Sequence, residues 1–190
     1  MTGHALDDHV VLLDPSGNPT GVADKATVHA ADTPLHWAFS CHLRNRTGQW
    51  LLTRRALTKV AWPGVWSNAF CGHPAPGEQV EEAIVRRAMQ ELGISVRDLE
   101  LILPDFRYAA VDPSGVRENE VCPVYAAITD DDPTPSRDEI IEHLWAEPAD
   151  VTAAVAHAPW AFSPWFGWQL EQLQSPQIAA GQQLSGESAP

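Results

Sequence analysis

The sequence predicts an α/β sandwich, a mixed β-sheet flanked by helices, with further strands ahead of it and further helices behind. Three observations predict it: short β-rich runs separated by turn signals, one amphipathic helix interrupting them, and helical segments after the last strand. His9 to Leu13 reads as the first strand, closed by the turn residues Asp14 to Pro19. Leu35 to Leu43 and Gln49 to Thr53 follow as strands around the turn at Arg46-Thr47-Gly48. From Glu78 to Leu92 there is neither Gly nor Pro, and Val80, Ile84 and Ala88 recur every four residues, which places them on one helical face. Arg87 and Glu91 project together from a neighbouring face, and Gly93 ends the helix.

Leu99 to Ala110 and Glu118 to Ile128 read as two strands joined through the turn Asp112-Pro113-Ser114-Gly115. Alternation puts Glu118 and Glu120 on one face of the second. After a polar linker at Asp130 to Ser136, a strand near Ile140 to Trp145 leads to helices around Asp150 to Ala156 and Ser163 to Gln174. Ser163 is the expected N-cap and Pro164 the first helical residue. Residues 176–190, rich in Gln, Ser, Gly and Ala, are expected to form a disordered tail. Length favours one domain over 1–175, and no internal repeat is present.

Composition excludes several classes. A net charge of -13 disfavours nucleic acid or an anionic membrane as partner. Five of the 12 Lys and Arg residues nevertheless fall between Arg44 and Lys59, and none lies beyond Arg137, a pattern suited to a small anionic ligand in a local basic pocket. Cys41, Cys71 and Cys122 are an odd number, without a secretion signal ahead of them, so reduced thiols and a cytoplasmic location are expected. The chain is expected to be a monomer or weak homo-oligomer.

The run Gly72-His73-Pro74-Ala75-Pro76-Gly77-Glu78, seven residues, then Arg86-Arg87-Ala88-Met89-Gln90-Glu91-Leu92-Gly93-Ile94 is similar to the Nudix box, a loop and helix that hold a metal-bound diphosphate. Two glutamates of the box are replaced by Arg87 and Gln90, so most of the carboxylate cluster that a hydrolase uses to activate water is missing. Further blocks resemble the type 1 isopentenyl-diphosphate isomerases, a branch of that superfamily. They are His29-Ala30-Ala31-Asp32-Thr33-Pro34-Leu35-His36, Trp62-Pro63-Gly64-Val65-Trp66-Ser67-Asn68, Cys71-Gly72-His73-Pro74, Asp105-Phe106-Arg107-Tyr108, Glu118-Asn119-Glu120-Val121-Cys122-Pro123-Val124 and Trp160-Ala161-Phe162-Ser163-Pro164-Trp165. With Thr53-Arg54-Arg55-Ala56 through Lys59, they span about residues 9–170 in the family's order.

The resemblance implies a Nudix-like sandwich that moves a double bond in a five-carbon diphosphate through a tertiary carbocation-like species. It implies Cys71 and Glu120 as the acid and base pair, Tyr108 as a proton relay beside Glu120, and Trp165 as the aromatic face toward the cation. It implies a divalent metal, Mn²⁺, Zn²⁺ or Mg²⁺, on His29, His36, His73, Glu118 and Glu120. A second ion, Mg²⁺, would sit with the substrate diphosphate on Glu91 and the main-chain carbonyl of Cys71. Lys25, Arg55, Lys59 and Arg87 would contact the diphosphate. Each residue alone has a plainer reading: a buried thiol, surface histidines, a solvated Glu-x-Glu, a core tryptophan. The alternatives are a Nudix-type diphosphate hydrolase, which Arg87 and Gln90 disfavour, and a non-catalytic metal-stabilised binding protein.

Overall fold

The computed structural model describes residues 9–175; the expected tail at 176–190 lies outside the described residues. In chain order the elements are β1 (His9–Leu13), β2 (Pro19–Asp24), α1 (Lys25–Val28), β3 (His36–Trp37), β4 (Phe39–Arg44), β5 (Trp50–Arg55), β6 (Trp66–Ser67), β7 (Phe70–Gly72) and α2 (Val80–Leu92). Then come β8 (Arg97–Leu103), β9 (Arg107–Val111), β10 (Arg117–Val121), β11 (Val124–Ile128), β12 (Ile140–Ala146), α3 (Pro148–His157), a 3₁₀ turn (Pro159–Ala161) and α4 (Pro164–Leu173).

The strands form two mixed sheets. The first has the order β2-β1-β3-β10-β9, the second β12-β5-β4-β11-β8, with β6 on β5 and β7 on β4. Each contains one parallel pair, β3 with β10 and β4 with β11. Three runs expected to be single strands are each broken, and their halves lie in different sheets: β3 and β4 at Ala38, β8 and β9 at residues 104–106, β10 and β11 at Cys122-Pro123. Pro104 and Pro123 lack the N–H a ladder needs, which makes the crossing economical there. The breaks are stitched by backbone bonds, Ala38 N–H to Val121 O at 2.9 Å and Cys122 N–H to Phe106 O at 2.9 Å.

Alternation along the second sheet divides the core. Phe39, Cys41 and Leu43 of β4 and Tyr125 and Ala127 of β11 pack with Ile84, Ala88 and Leu92 of α2. Leu52 of β5 and Val124 of β11 pack instead with Val151, Phe166 and Leu170 of α3 and α4. Helices therefore cover both faces of this sheet, as expected of an α/β sandwich.

α2 begins at Val80 rather than Glu78, with Gln79 as N-cap in a capping box with Glu82. Glu78 is used differently: its carboxylate takes a bidentate pair from Arg86, both at 2.7 Å, and the Ala75 N–H at 2.7 Å, fastening the preceding loop to the helix. Gly93 ends α2 at φ 65°, where a Cβ would lie 2.3 Å from Thr134 Oγ1. Ser163 holds the N-cap position of α4 but does not cap it with its side chain; its hydroxyl bonds Ser67 Oγ at 2.8 Å instead.

Candidate active site

The first sheet builds one wall of the site by register. Glu120 lies opposite His36 on one side and Tyr108 on the other, so three side chains from β3, β10 and β9 form a row. Glu118, two residues earlier, shares the buried face, whereas Arg117, Asn119 and Val121 are half-buried. A slip of one residue would turn both carboxylates away. His29 follows α1 and His73 follows β7.

These groups converge. One ligand atom from each of His29, His36, His73 and Glu120 lies within 4.8 Å of the others. The Nε2 atoms of His36 and His73 are 3.2 Å apart, and both face Glu120 Oε1, at 3.5 and 3.2 Å. Glu118 stands at the edge of this group, its Oε2 3.1 Å from His29 Nε2 but not in hydrogen-bonding geometry. His36 Nδ1 is 3.0 Å from Pro34 O and donates there, so Nε2 points its lone pair at the centre in the neutral ring and donates to Glu120 in the protonated one. His73 Nδ1 and Glu118 Oε2 are buried with no hydrogen-bond partner among the described residues.

Burial disfavours charge on Glu120, but the hydrogen bonds from His36 and His73 outweigh it and hold the carboxyl well below its usual range. Burial opposes charge on His36 too, yet the bond to Glu120 raises its pKa, while burial pushes His73 down to about 3. Three imidazoles, two ring nitrogens nearly in contact and an ionised carboxylate make a donor set that fits a divalent cation.

The second sheet supplies the thiol. Cys71 on β7 lies directly opposite Ser40 on β4, with Sγ 3.0 Å from Ser40 Oγ and 3.5 Å from Asn68 Oδ1. Burial pushes this thiol up to about 11, with the bond to Ser40 acting the other way. Cys71, Glu120, Tyr108 and Trp165 line one cleft of about 590 Å³ together with Lys25, Arg55, Lys59 and Arg87. Trp165, 2% exposed at the start of α4, stacks on Tyr108 with centroids 5.4 Å apart and meets the edge of Trp62 at 5.4 Å. The Arg55 guanidinium lies 5.4 Å from the centre of the same ring and donates to Ala61 O and Trp62 O. Trp62 is held at φ 45°, its N–H bonded to Asp112 Oδ2 at 3.1 Å, so the predicted turn at Asp112 also anchors the loop that carries Lys59.

On the basic side, Arg87 pairs with Glu91 and, at 3.2 Å, with Glu139, which also pairs with Lys59. Glu91 is buried and lines a small recess beside Cys71 rather than the main cleft. Gly72 makes this packing possible: a Cβ there would stand 2.9 Å from the Phe39 ring and 3.0 Å from Arg87 Cγ. Lys25 is pushed down to about 8, first by burial and then by the nearby charge of Arg87.

Residues 34–166 match the model of the NUDIX domain. A protein of Kocuria rhizophila named isopentenyl-diphosphate Delta-isomerase is 54% identical over 172 residues, 90% of this chain and 96% of its own length. One of the same name from Leifsonia xyli is 57% identical over 182 residues, 95% of this chain and 97% of its own. The chain belongs to the isopentenyl-diphosphate Delta-isomerase family of Nudix proteins. A crystal structure from Deinococcus radiodurans superposes with a TM-score of 0.67 at 19% identity, covering 88% of this chain and 99% of that one. A MutT protein from Methanosarcina mazei superposes at 0.52 and 18% identity, covering 80% and 97%. These two likenesses concern the fold alone.

Within this isomerase-family site, sequence reasoning missed Glu139, Ser40 and Gln169. Glu139 joins Arg87 to Lys59, and the only hint was an acidic residue at the start of a predicted strand. Ser40 and Gln169 are fully buried polar residues that touch Cys71 directly and through one another.

Proposed function

We propose that the chain interconverts isopentenyl diphosphate and dimethylallyl diphosphate. The observation that carries this reading is the joint lining of one cleft by a thiol, a carboxylate, an aromatic pair and four cationic side chains. A hydrolase needs carboxylates around an attacking water. Here the two glutamate positions of the box carry Arg87 and Gln90, and Arg87, which lines the cleft, is paired with Glu91 and Glu139. That favours holding a diphosphate intact over cleaving it.

In the proposed reaction one proton adds to the terminal alkene carbon, C4, leaving positive charge at C3. A second proton then leaves C2, and the electron pair of that C–H bond becomes the new double bond. Cys71 and Glu120, which come from different sheets and line the same cleft, are the groups assigned to these two transfers. Tyr108, directly across the ladder from Glu120, would pass a proton to or from it. The stacked Trp165 ring would face the cation, an attraction of about 2 kcal/mol when desolvated. Trp165 is buried and Tyr108 and Cys71 are half-buried, which limits the bulk water that would quench the cation. Lys25, Arg55, Lys59 and Arg87 would bind the diphosphate.

His29, His36, His73, Glu120 and, beside them, Glu118 are the residues proposed to hold a divalent ion, Mn²⁺, Zn²⁺ or Mg²⁺. When bound, such an ion would fix the carboxylate's orientation and tune its acidity. Glu91 with the Cys71 carbonyl is proposed for a Mg²⁺ that enters with substrate. No helix among the described residues is long and apolar enough to cross a membrane. We place the enzyme in the cytoplasm, where its free thiols stay reduced.

Incubation of the purified protein with isopentenyl diphosphate in D₂O tests the reading. Dimethylallyl diphosphate carrying deuterium is the expected product. Release of phosphate would replace this reading with hydrolysis, and recovery of unchanged, unlabelled substrate would replace it with simple binding.

A further inference from the structure

Behind Cys71, away from the groups assigned to chemistry above, lies a run of buried polar side chains: Ser40 and Gln169 at 0% exposure, Asn68 at 1% and His42 at 5%. With Gln169 Nε2 toward Ser40, their hydrogen bonds run in one consistent direction. Asn68 Nδ2 donates to two main-chain carbonyls, Cys41 O at 3.0 Å and Phe70 O at 2.9 Å. Carbonyls only accept, so the amide cannot be turned over, and Asn68 Oδ1 must be the atom 3.5 Å from Cys71 Sγ. That oxygen already accepts from Ser67 Oγ at 2.9 Å, so the thiol proton is not required there and can turn to the cleft, while a sulfur lone pair faces Ser40 Oγ, 3.0 Å away. Ser40 Oγ accepts from Asn68 Nδ2 at 3.4 Å, and its own single proton is left for the sulfur. It accepts in turn from Gln169 Nε2 at 2.9 Å, and Gln169 Oε1 accepts from His42 Nε2 at 2.9 Å.

We propose that Ser40 is a positioning residue whose hydroxyl donates a hydrogen bond to the Cys71 sulfur, held in that sense by Asn68, Gln169 and His42. The purpose follows from what a thiol must do to move a proton. As the S–H proton passes to substrate carbon, negative charge appears on a half-buried sulfur, and an O–H already aimed at it needs no reorganisation. In the reverse direction the same bond keeps a lone pair aimed while the proton returns. Gln169 lies one helical turn after Trp165, so α4 carries both the aromatic wall and the amide that orients Ser40. A buried chain of this kind is worth having only if every member is satisfied, and here each named bond is made.

The catalytic purpose rests on the isomerase reading; the direction of the hydrogen bonds does not, so two measurements separate them. In Ser40→Ala, kcat with isopentenyl diphosphate is expected to fall about 10- to 100-fold, with KM and bound metal unchanged. Independently, the infrared S–H stretch of Cys71, isolated in each background by subtracting its Cys71→Ala counterpart, is expected to shift slightly in the substrate-free protein; a large move to higher frequency would mean that the thiol donates to Ser40 and would overturn the proposal. Ser40→Thr, which keeps the hydroxyl, should restore the band and most of kcat. An unmoved S–H band in Ser40→Ala overturns the proposal whatever happens to kcat, and so does an unchanged kcat in an otherwise active enzyme. If Ser40→Ala does not fold, Gln169→Met is judged by the same band, whose failure to move is equally decisive. A wild-type protein that does not isomerise, yet whose band shifts in Ser40→Ala, refutes the isomerase reading and leaves the hydrogen-bond direction standing.

Discussion

Cys71 and Glu120 come from different sheets, and neither shares a turn or a strand with the other, so each can be altered without dismantling its partner's wall. Cys71→Ala and Glu120→Gln should each lower kcat by about 10³-fold or more, the scale of a lost acid or base, while circular dichroism and the melting midpoint stay near wild type. Turnover near the wild-type rate in either variant would remove that residue from the proton path. Lys25 makes a prediction of a different kind. Held at about 8, it is charged below that pH and neutral above it. In its proposed contact with the diphosphate Lys25 acts through that charge, so kcat/KM should fall as pH rises through about 8, mainly through KM, and Lys25→Met should abolish that limb. The same variant should raise KM at neutral pH by about 10-fold, as expected for one charge-assisted contact. The stability effect has the opposite sign. The unfolded lysine titrates at 10.5, so between about 8 and 10.5 the unfolded chain binds more protons and the folded state gains as pH rises. Activity and this contribution to stability should therefore diverge over that window, which thermal melts at successive pH values would reveal.

The short strand β7 and the helix α2 meet at Gly72, where the Arg87 stem and the Phe39 ring leave no room for a methyl group. Gly72→Ala should cost about 1–3 kcal/mol, lower the melting midpoint by several degrees and raise KM, because moving Arg87 disturbs its ties to Glu91 and Glu139. A variant that melts and binds like wild type would mean that this contact relaxes freely. What the sequence made legible follows from the range of each signal. α2 could be read because its apolar spacing, its freedom from Gly and Pro and the closing Gly93 all lie within one short window. The shared face of Glu118 and Glu120 could be read because strand alternation is local. The breaks inside the strand runs were not read, since an apolar, alternating pattern continues across them whichever sheet each half joins. Ser40 and Gln169, 129 residues apart, and Arg87 and Glu139, 52 apart, acquire their roles only from partners that no local pattern brings together. Likeness to a family named several residues that the structure brings to one cleft; it did not reach the hydrogen bonds behind them.

The metal-ligating candidates tie the molecule together across its two sheets. His36 and Glu120 belong to the first sheet, His73 follows a strand of the second, and His29 follows α1, which packs on β1 and β2. Folding without a cation must bring two imidazole nitrogens to 3.2 Å beside a carboxylate and leave His73 Nδ1 buried without a partner. A cation in their midst would relieve the first strain and join four separate stretches of chain. An ion at 100 times its dissociation constant stabilises the folded state by about 2.7 kcal/mol. For a domain of this size that corresponds to roughly 5–10 °C in the melting midpoint. Exhaustive chelation should therefore lower the midpoint by about that amount, and added Mn²⁺, Zn²⁺ or Mg²⁺ should restore it in the order of their affinities. His73→Ala should begin near the chelated midpoint and respond weakly to either treatment, because it removes the ligand that the second sheet contributes. If chelation shifts wild type and His73→Ala equally, the stabilising ion sits elsewhere, and the two walls of the cleft are held together by packing alone.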